Sequence, residues 1–375
     1  MITPEDFFNV LVQNDISFFS GVPDSLLKNI CAYLTDNVAP ENNIIAANEG
    51  GAVALAAGYH LATGKIPLVY MQNSGIGNAI NPLLSLVDEK VYNIPVLLMI
   101  GWRGEPGTKD EPQHIKQGEV TTGLLEAMNI PYEVLPDDFG KAKEIVESSI
   151  NQCKKAMSPF AFIVQKGTFQ AYQLKEKTGT GFEMNREEAL KIVVDALNND
   201  DVVVSTTGKT SRELYEYREK LGQKHHNDFL TVGSMGHASQ IALGIALMKP
   251  NRNIYCFDGD GATLMHTGSL GVIGDLAPKN YKHIIFNNGA HDSVGGQATI
   301  GHNIDIPEIA SGFQYKAVFV AEDKNSLIAK MHTLKQVEGP ALLEIKINKG
   351  ARKDLGRPTS TPIENKDSFM DFLKQ

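Results

Sequence analysis

Short apolar runs rich in β-branched residues recur along the first half of the chain, with longer segments between them. The runs lie at positions 44–47, 67–71, 96–100, 132–135 and 161–165. A spacing of roughly 25 to 35 residues between such runs is typical of strand–helix–strand units. Because the runs are apolar throughout and do not alternate, they favour a parallel sheet that helices cover on both faces.

The pattern lapses after Gly167 and returns in the second half of the chain. Residues 175–181 are polar and glycine-rich, which is the composition of a linker. A helix is then predicted from Asn185, and further strand-like runs follow at positions 201–205, 253–257, 283–286 and 341–347. We therefore expect an α/β protein with two domains, residues 1–167 and 185–375, joined by a linker at 168–184.

Composition is that of a globular protein. Of the 375 residues, 42% are hydrophobic and 21% are charged, and the net charge of −9 argues against a nucleic-acid surface. The apolar runs are too short to span a membrane, and the first residues are acidic rather than basic. Cys31, Cys153 and Cys256 are widely spaced in apolar surroundings. We expect a cytoplasmic protein with reduced cysteines and neither a secretory signal nor a membrane partner.

One motif carries most of the chemical information. The residues Asp-Gly-Asp-Gly at 258–261 follow a predicted strand, and after 25 further residues the pair Asn-Asn at 287–288 ends the next strand. A carboxylate and an amide oxygen at the ends of neighbouring strands can share one Mg²⁺, which prefers hard oxygen ligands. The flanking glycines and a helix start near Ala262 suit a diphosphate. If residues 258–261 are considered without the Asn pair, the alternative to a metal site is a glycine turn in which an Asp caps the following helix.

Three other motif readings fail on the residues that they require. An EF-hand loop from Asp258 would need Glu at 269, which is Ser269. The glycine pattern at 75–80 has Ile80 where the dinucleotide fingerprint has its third glycine. A P-loop ending at 208–210 would need glycine at Val203. We therefore expect neither a calcium-loop protein, a dinucleotide-binding protein nor an NTPase.

The motif at 258–288, together with Asn48-Glu49-Gly50 in the first half, resembles the short-form thiamin diphosphate (ThDP)-dependent 2-oxo acid decarboxylases, which lack a central domain. The resemblance covers most of the chain. Residues 20–27, 109–114, 207–214 and 233–238 resemble a small group within that family whose substrates carry an anionic tail. The resemblance implies two ThDP-binding-type domains, the first for the aminopyrimidine and the second for the diphosphate and Mg²⁺.

The resemblance also implies roles for individual residues. Asp260 and Asn288 would bind Mg²⁺ by their side chains and Ala290 by its carbonyl, and Glu49 would exchange a proton with the aminopyrimidine. Asp24 and His114 would line the substrate side as catalytic groups. The cofactor would contact Asn73, Ser74, Gly75, Thr207, Gly208, Lys209, Met235, Gly259, Gly261, Ala262 and Ser293. The substrate tail would contact Arg103, Lys109 and Arg212.

Some of these assignments have alternatives at the sequence level. Lys209 could serve the substrate tail instead of the diphosphate, and Met235 could be a core residue. His114 could be a surface histidine in an exposed loop. Longer decarboxylases have a Glu where this chain has Val294. The proton that is added to the substrate carbon after CO₂ has left could therefore come from Asp24, His114 or His291.

The resemblance implies a decarboxylase that converts a small 2-oxo acid into an aldehyde and CO₂. A phosphonate tail is the first expectation for its substrate, and a sulfonate tail is the alternative. A carboligating transferase and a regulatory nucleotide-binding module are the other classes. In this family the site lies at a subunit interface, so we expect a homodimer or larger assembly.

Overall fold

The computed structural model describes residues 1–175 and 180–375, so part of the linker predicted at 168–184 lies outside the described residues. The chain divides into two compact units, Met1–Lys177 with Val294–Gln297, and Thr178–Ser293 with Ala298–Gln375. Each unit is built on its own six-stranded sheet, and all strand pairs in both sheets are parallel. The predicted class, α/β with two helix-covered parallel sheets, is confirmed.

The first unit has strand order β2-β1-β3-β4-β6-β5. Its strands are β1 (Phe19–Gly21), β2 (Asn43–Ile45), β3 (Leu68–Gln72), β4 (Leu97–Gly101), β5 (Tyr132–Val134) and β6 (Phe160–Val164). Its helices are α1 (Pro4–Gln13), α2 (Lys28–Asn37), α3 (Glu49–Thr63), α4 (Ile76–Ser85), α5 (Pro112–Ala127) and α6 (Phe139–Ala156). Short 3₁₀ turns occur at Pro40–Asn42 and Asn73–Gly75.

The second unit repeats this architecture with strand order β11-β12-β10-β9-β7-β8. Its strands are β7 (Val202–Ser205), β8 (Asp228–Leu230), β9 (Ile254–Gly259), β10 (Tyr281–Asn287), β11 (Ala317–Ala321) and β12 (Ala341–Lys346). Its helices are α7 (Arg186–Ala196), α8 (Lys209–Lys220), α9 (Ala238–Met248), α10 (Asp260–Met265), α11 (Gly268–Leu276), α12 (Ile306–Gly312), α13 (Lys324–Gln336) and α14 (Pro362–Lys374).

Burial on both faces explains the continuous apolar runs. On β3, Leu68 and Tyr70 belong to one apolar cluster, whereas Val69 and Met71 belong to a second cluster on the opposite face. Successive strand residues point to opposite faces of a sheet, so each residue of a central strand needs an apolar side chain. All three cysteines are buried and free, and no described helix is long and apolar enough to cross a bilayer.

Two strands lack the pattern on which the sequence prediction relied, because β1 contains Ser20 and β8 begins with Asp228. Strand β11 is apolar throughout, but it is not among the predicted runs. Asp228 is tolerated in the interior because Arg218 donates to both of its carboxylate oxygens, at 2.9 and 3.0 Å. Arg218 lies 10 residues before Asp228, on α8, and an apolar pattern along a strand does not reveal such a contact.

The parallel topology decides where functional residues can gather. In each unit the carboxyl ends of neighbouring strands lie along one edge of the sheet, which is where open α/β sheets bind ligands. In the first unit the segments after β1, β3 and β4 carry Asp24, Asn73 and Arg103. In the second unit the segments after β9 and β10 carry Asp260 and Asn288.

Candidate active site

Asp260 is the buried carboxylate at the centre of the second unit. It is the first residue of α10, directly after β9, and only 2% of it is exposed. Burial raises the pKa of Asp260, while hydrogen bonds from the Thr299 hydroxyl and the Asn288 backbone act in the opposite direction. Among the described residues, no ion pair includes Asp260. A buried carboxylate without a paired cation is suited to binding a metal ion.

The two asparagines at the end of β10 have different surroundings. Asn287 is fully buried, and its amide nitrogen donates to Gly301 O at 2.8 Å and to Glu344 Oε1 at 2.6 Å. Asn288 is 5% exposed, and its Oδ1 accepts one hydrogen bond, from Ala290 N at 3.1 Å. Each Oδ1 accepts one backbone N–H, and that of Asn287 accepts from Gly289 N at 3.0 Å. The two side chains differ in their donors, because both amide hydrogens of Asn287 are used within the fold. The choice of Asn288 as the metal ligand therefore stays a prediction from the family resemblance.

The loops after β7 and β10 meet beside the start of α8. Ser293 Oγ lies 3.4 Å from the position that a Cβ on Gly208 would occupy. Lys209 Nζ donates to Asp292 O at 3.1 Å, and the Asp292 carboxylate lies 3.9 Å away. Burial lowers the pKa of Lys209, and the charge of Asp292 opposes this shift. Three predicted cofactor contacts, Gly208, Lys209 and Ser293, are therefore neighbours.

Met235 and His291 lie close to the glycine turn that follows β9. The Met235 Cε lies 3.4 Å, and the His291 Cε1 3.2 Å, from where a Cβ on Gly261 would stand. Met235 is half-buried in the loop between β8 and α9. Burial lowers the pKa of His291 to about 4. Thr207, by contrast, uses its hydroxyl to donate to Val232 O at 2.8 Å.

Glu49 in the first unit is held by residues from the 3₁₀ turn and from helix α4, which follow β3. It opens α3, is 5% exposed, and accepts a hydrogen bond from Asn78 Nδ2 at 2.7 Å. A Cβ on Gly75 would stand 2.4 Å from Glu49 Oε1, so only glycine leaves room for the Glu49 side chain here. Of the predicted contacts at 73–75, Gly75 lies against Glu49. In the dinucleotide-like pattern at 75–80, Gly75 has this packing role, whereas a Cβ on Gly77 would meet nothing within 4 Å.

Arg103 is fixed through both its backbone and its side chain. Asn73 Nδ2 donates to Arg103 O at 2.8 Å, and Arg103 N donates to Asn73 Oδ1 at 3.2 Å. The guanidinium donates to both Asp110 oxygens, at 2.8 and 2.5 Å, and to Ser25 Oγ at 2.7 Å. The hydrogen bond with Asp110 raises the pKa of Arg103. Two of the five guanidinium hydrogens are left for a ligand.

Asp24 and His114 lie within the electrostatic reach of Arg103. Asp24 is fully buried, and burial raises its pKa despite the opposing effects of the Leu26 N–H and the Arg103 charge. His114 lies on α5 and is 8% exposed, so the alternative of an exposed loop histidine is wrong. Burial, and then the charge of Arg103, lower the pKa of His114 to about 4. Asp24 thus holds a proton more readily than an ordinary aspartate, and His114 holds one less readily than an ordinary histidine.

The remaining predicted contacts are less closely tied to these groups. Lys109 is exposed in the loop before α5. Arg212 is half-buried in the first turns of α8, where its charge lowers the pKa of Lys209. Gly259 ends β9 and precedes Asp260, and Ala262 is buried in α10.

Sequence reasoning missed several polar residues that the fold brings to these groups. They are Asn78, Asp110, Thr121, Thr299, Gly301, His302 and Glu344. Asp110 adjoins Lys109 in a motif that carried the resemblance, so its position offered a signal. Glu344 offered a weaker one, a lone carboxylate inside an apolar strand.

The residues present fit ThDP and a divalent cation. Asp260, Asn288 and the Ala290 carbonyl would supply hard oxygen ligands near one strand edge, which suits Mg²⁺. Gly208 caps α8 without any side-chain hydrogen bond, which leaves the first N–H groups of that helix open to an anion. Glu49 would supply the carboxylate that the other end of the cofactor requires.

Comparison with known proteins agrees with this geometry. Residues 1–124 match the model of the thiamine pyrophosphate enzyme N-terminal TPP binding domain, and residues 206–345 match that of the C-terminal TPP binding domain. Phosphonopyruvate decarboxylases from Streptomyces viridochromogenes and Streptomyces hygroscopicus are each 34% identical, covering 100% of this chain and 95% of theirs. A sulfopyruvate decarboxylase from Methanosarcina acetivorans is 26% identical, covering 100% of this chain and 98% of its own.

The fold and these residues together define a class of enzyme with two α/β units, each built on a parallel sheet, of which the first carries a buried glutamate and the second carries a buried carboxylate and an amide oxygen. The chain belongs to the thiamine pyrophosphate enzyme family and, within it, to the ThDP-dependent decarboxylases.

We predict that His114 makes stability fall as the solution becomes acidic. Between the ordinary histidine pKa of 6.5 and about 4, the unfolded chain binds a proton that folded His114 does not. From pH 7 to pH 5 this costs up to about 2 kcal/mol of unfolding free energy. Urea denaturation should show a smaller loss for His114→Gln than for the wild type. The exposed His332→Gln variant is the control, and an equal loss in all three proteins would contradict the prediction.

Proposed function

We propose that the protein decarboxylates 3-phosphonopyruvate to phosphonoacetaldehyde and CO₂, using ThDP and Mg²⁺, as a step of phosphonate biosynthesis. The observation that carries this proposal is the position of Arg103. Its guanidinium is held by Asp110 and Ser25, and its charge reaches both Asp24 and His114. A fixed guanidinium edge matches the paired oxygens of a phosphonate. The buried free cysteines support a reducing compartment such as the cytoplasm.

The second unit would hold the diphosphate end of the cofactor. Asp260, Asn288 and Ala290 would coordinate Mg²⁺, and the uncapped start of α8 would meet the phosphate oxygens. Lys209 and Ser293 border the same region. When bound, ThDP supplies a nucleophilic carbon and an acceptor for the electron pair that CO₂ leaves behind. Met235, which overlies Gly261, would brace the cofactor in a bent conformation.

The first unit would handle the protons. Asn78 fixes one oxygen of Glu49, and the other faces Gly75, so Glu49 would exchange its proton with the aminopyrimidine in one orientation. Asp24 is suited to keep a proton for the carbon that loses CO₂, because burial raises its pKa. His114 is neutral at pH 7, and its lowered pKa makes it a weak base, so we assign this proton to Asp24 rather than to His114.

Decarboxylation of sulfopyruvate is the second candidate. It rests on the full-length similarity to the sulfopyruvate decarboxylase from Methanosarcina acetivorans, at 26% identity against 34% for the phosphonopyruvate decarboxylases. Both substrates carry an anionic tail that Arg103 could bind. The phosphonate is nearly a dianion at pH 7, whereas the sulfonate has a single charge, so the two candidates differ in their dependence on pH.

We also propose that the active site forms between two copies of the chain. From Gly50 to Tyr59, helix α3 carries no charged side chain. Its outward residues include Leu55, 40% exposed, and Leu61, 73% exposed, and an apolar groove lined by Phe18 and Ile44 runs beside it. A helix that is apolar on all sides is normally buried. A second copy is the occupant that the family resemblance implies, with Glu49 and Asp260 of one site coming from different chains.

We predict that activity requires both ThDP and a divalent cation, and that Asp260→Ala abolishes it. The variant loses the carboxylate that would tie the cation to the diphosphate. CO₂ release should be measured with and without each component after exhaustive chelation, and circular dichroism should show an intact fold. Full turnover by cofactor-free protein would refute the assignment.

We predict that two inactive variants restore activity when they are mixed. Glu49→Gln and Asp260→Ala chains, unfolded and refolded together, should form hybrid assemblies in which some sites contain neither substitution. Each variant refolded alone is the matched control. An active monomer in sedimentation velocity would contradict the shared site.

We predict that Arg103→Gln raises KM for phosphonopyruvate by about 10- to 100-fold, because charge-assisted hydrogen bonds are each worth roughly 1.5 to 3 kcal/mol. Turnover of pyruvate, which has no anionic tail, should change little. Arg103→Lys keeps the charge but loses the two-pronged guanidinium, so its KM should fall between those of the wild type and Arg103→Gln. The Arg212→Gln variant tests whether Arg212, the other arginine expected to contact the substrate tail, binds it instead. A wild-type kcat/KM that is equal or higher for sulfopyruvate at pH 7 would favour the second candidate function.

A further inference from the structure

Glu344 is a buried carboxylate that no step of the proposed reaction uses. It lies on β12, the neighbour of β10, and is 1% exposed. No ion pair among the described residues includes it. Its Oε1 accepts the 2.6 Å hydrogen bond from Asn287 Nδ2. Burying a carboxylate in this way is unfavourable unless its hydrogen bonds compensate, so the Glu344–Asn287 contact calls for an explanation.

Asn287 is the hub to which Glu344 connects. Its two amide hydrogens go to Glu344 Oε1 and Gly301 O, and its Oδ1 accepts from Gly289 N at 3.0 Å. Its carbonyl accepts from His302 Nε2 at 3.0 Å. The Asn287 side chain is therefore fixed in one orientation. Because its carbonyl is also hydrogen-bonded, the backbone that leads to Asn288 is held in place.

Gly301 connects this hub to Asp260. A Cβ on Gly301 would stand 2.7 Å from both Asn287 Oδ1 and Asp260 Oδ2. Its backbone N–H donates to Thr299 Oγ1 at 3.1 Å, and the Thr299 hydroxyl donates to Asp260 Oδ2. Only glycine fits at this approach, and any side chain there would separate the two oxygens.

We propose that Glu344, Asn287, Gly301 and Thr299 form a positioning network. This network holds the proposed metal ligands Asp260 and Asn288 in the positions that they need to bind the same ion. The inference rests on the proposed metal site and adds residues that bind no metal themselves. Contacts of this kind hold metal ligands in the binding orientation before the metal arrives. Losing one such contact typically weakens metal affinity by about 10- to 100-fold. Glu344 is thus a positioning residue that acts through Asn287.

The test compares Glu344→Ala with Glu344→Gln in the full-length protein. Isothermal titration calorimetry with Mg²⁺ at saturating ThDP should show a 10- to 100-fold weaker Mg²⁺ affinity for the Ala variant. The Gln variant should stay near the wild type, because its amide oxygen can accept the same hydrogen bond from Asn287. At saturating Mg²⁺ the kcat of both variants should approach that of the wild type, since Glu344 contacts no reacting group.

Two further variants keep the test decisive. Glu322→Ala removes an exposed carboxylate that pairs with Lys346 at 3.0 Å, and it should leave Mg²⁺ affinity unchanged. Gly301→Ala should weaken Mg²⁺ binding in the same way as Glu344→Ala does. It replaces Glu344→Ala in the test if that variant does not fold. A folded Glu344→Ala or Gly301→Ala protein with wild-type Mg²⁺ affinity would overturn the network. A wild type that binds no Mg²⁺ with ThDP would overturn the proposed function as well.

Discussion

The second unit depends on keeping the Asp260 carboxylate ionisable inside the protein. Desolvation disfavours the charged form, and no ion pair among the described residues offsets this. What stabilises the group is a set of hydrogen-bond donors from the turn after β9, the end of β10 and the segment at 299–302. The central strands must run parallel and side by side for these segments to meet, so the fold and the site share one requirement.

The cations at the two strand edges have protein partners. Arg103 is paired with Asp110, and Lys209 donates to the Asp292 carbonyl and lies near its carboxylate. An anion that binds there meets a guanidinium or ammonium whose charge is partly balanced. A ligand whose paired oxygens match the remaining guanidinium hydrogens of Arg103 would gain charge-assisted hydrogen bonds in addition to the attraction between net charges.

The sequence predicted those features that depend on local spacing. The motif at 258–288 predicts a carboxylate and an amide oxygen at one place because neighbouring parallel strands end at a common edge. The choice of Asn288 rather than Asn287, and the role of Glu49, came from the family resemblance. Thr299 and Glu344 were missed because their partners lie 39 and 57 residues away and their geometry depends on the assembled sheet. Strands β1 and β8 were missed because Ser20 and Asp228 interrupt the apolar pattern, and tertiary hydrogen bonds compensate for both.

Under the proposed assembly of two copies, the outer face of α3 would link the folding of this chain to its abundance. Leu55 and Leu61 remain in water as long as a chain is alone, and their transfer from water is available only through association. Assembly that covers this face draws folded chains out of the folding equilibrium, so by mass action the melting temperature rises with protein concentration. A cell that makes little of such a protein would lose it to unfolding sooner than its monomer stability alone implies.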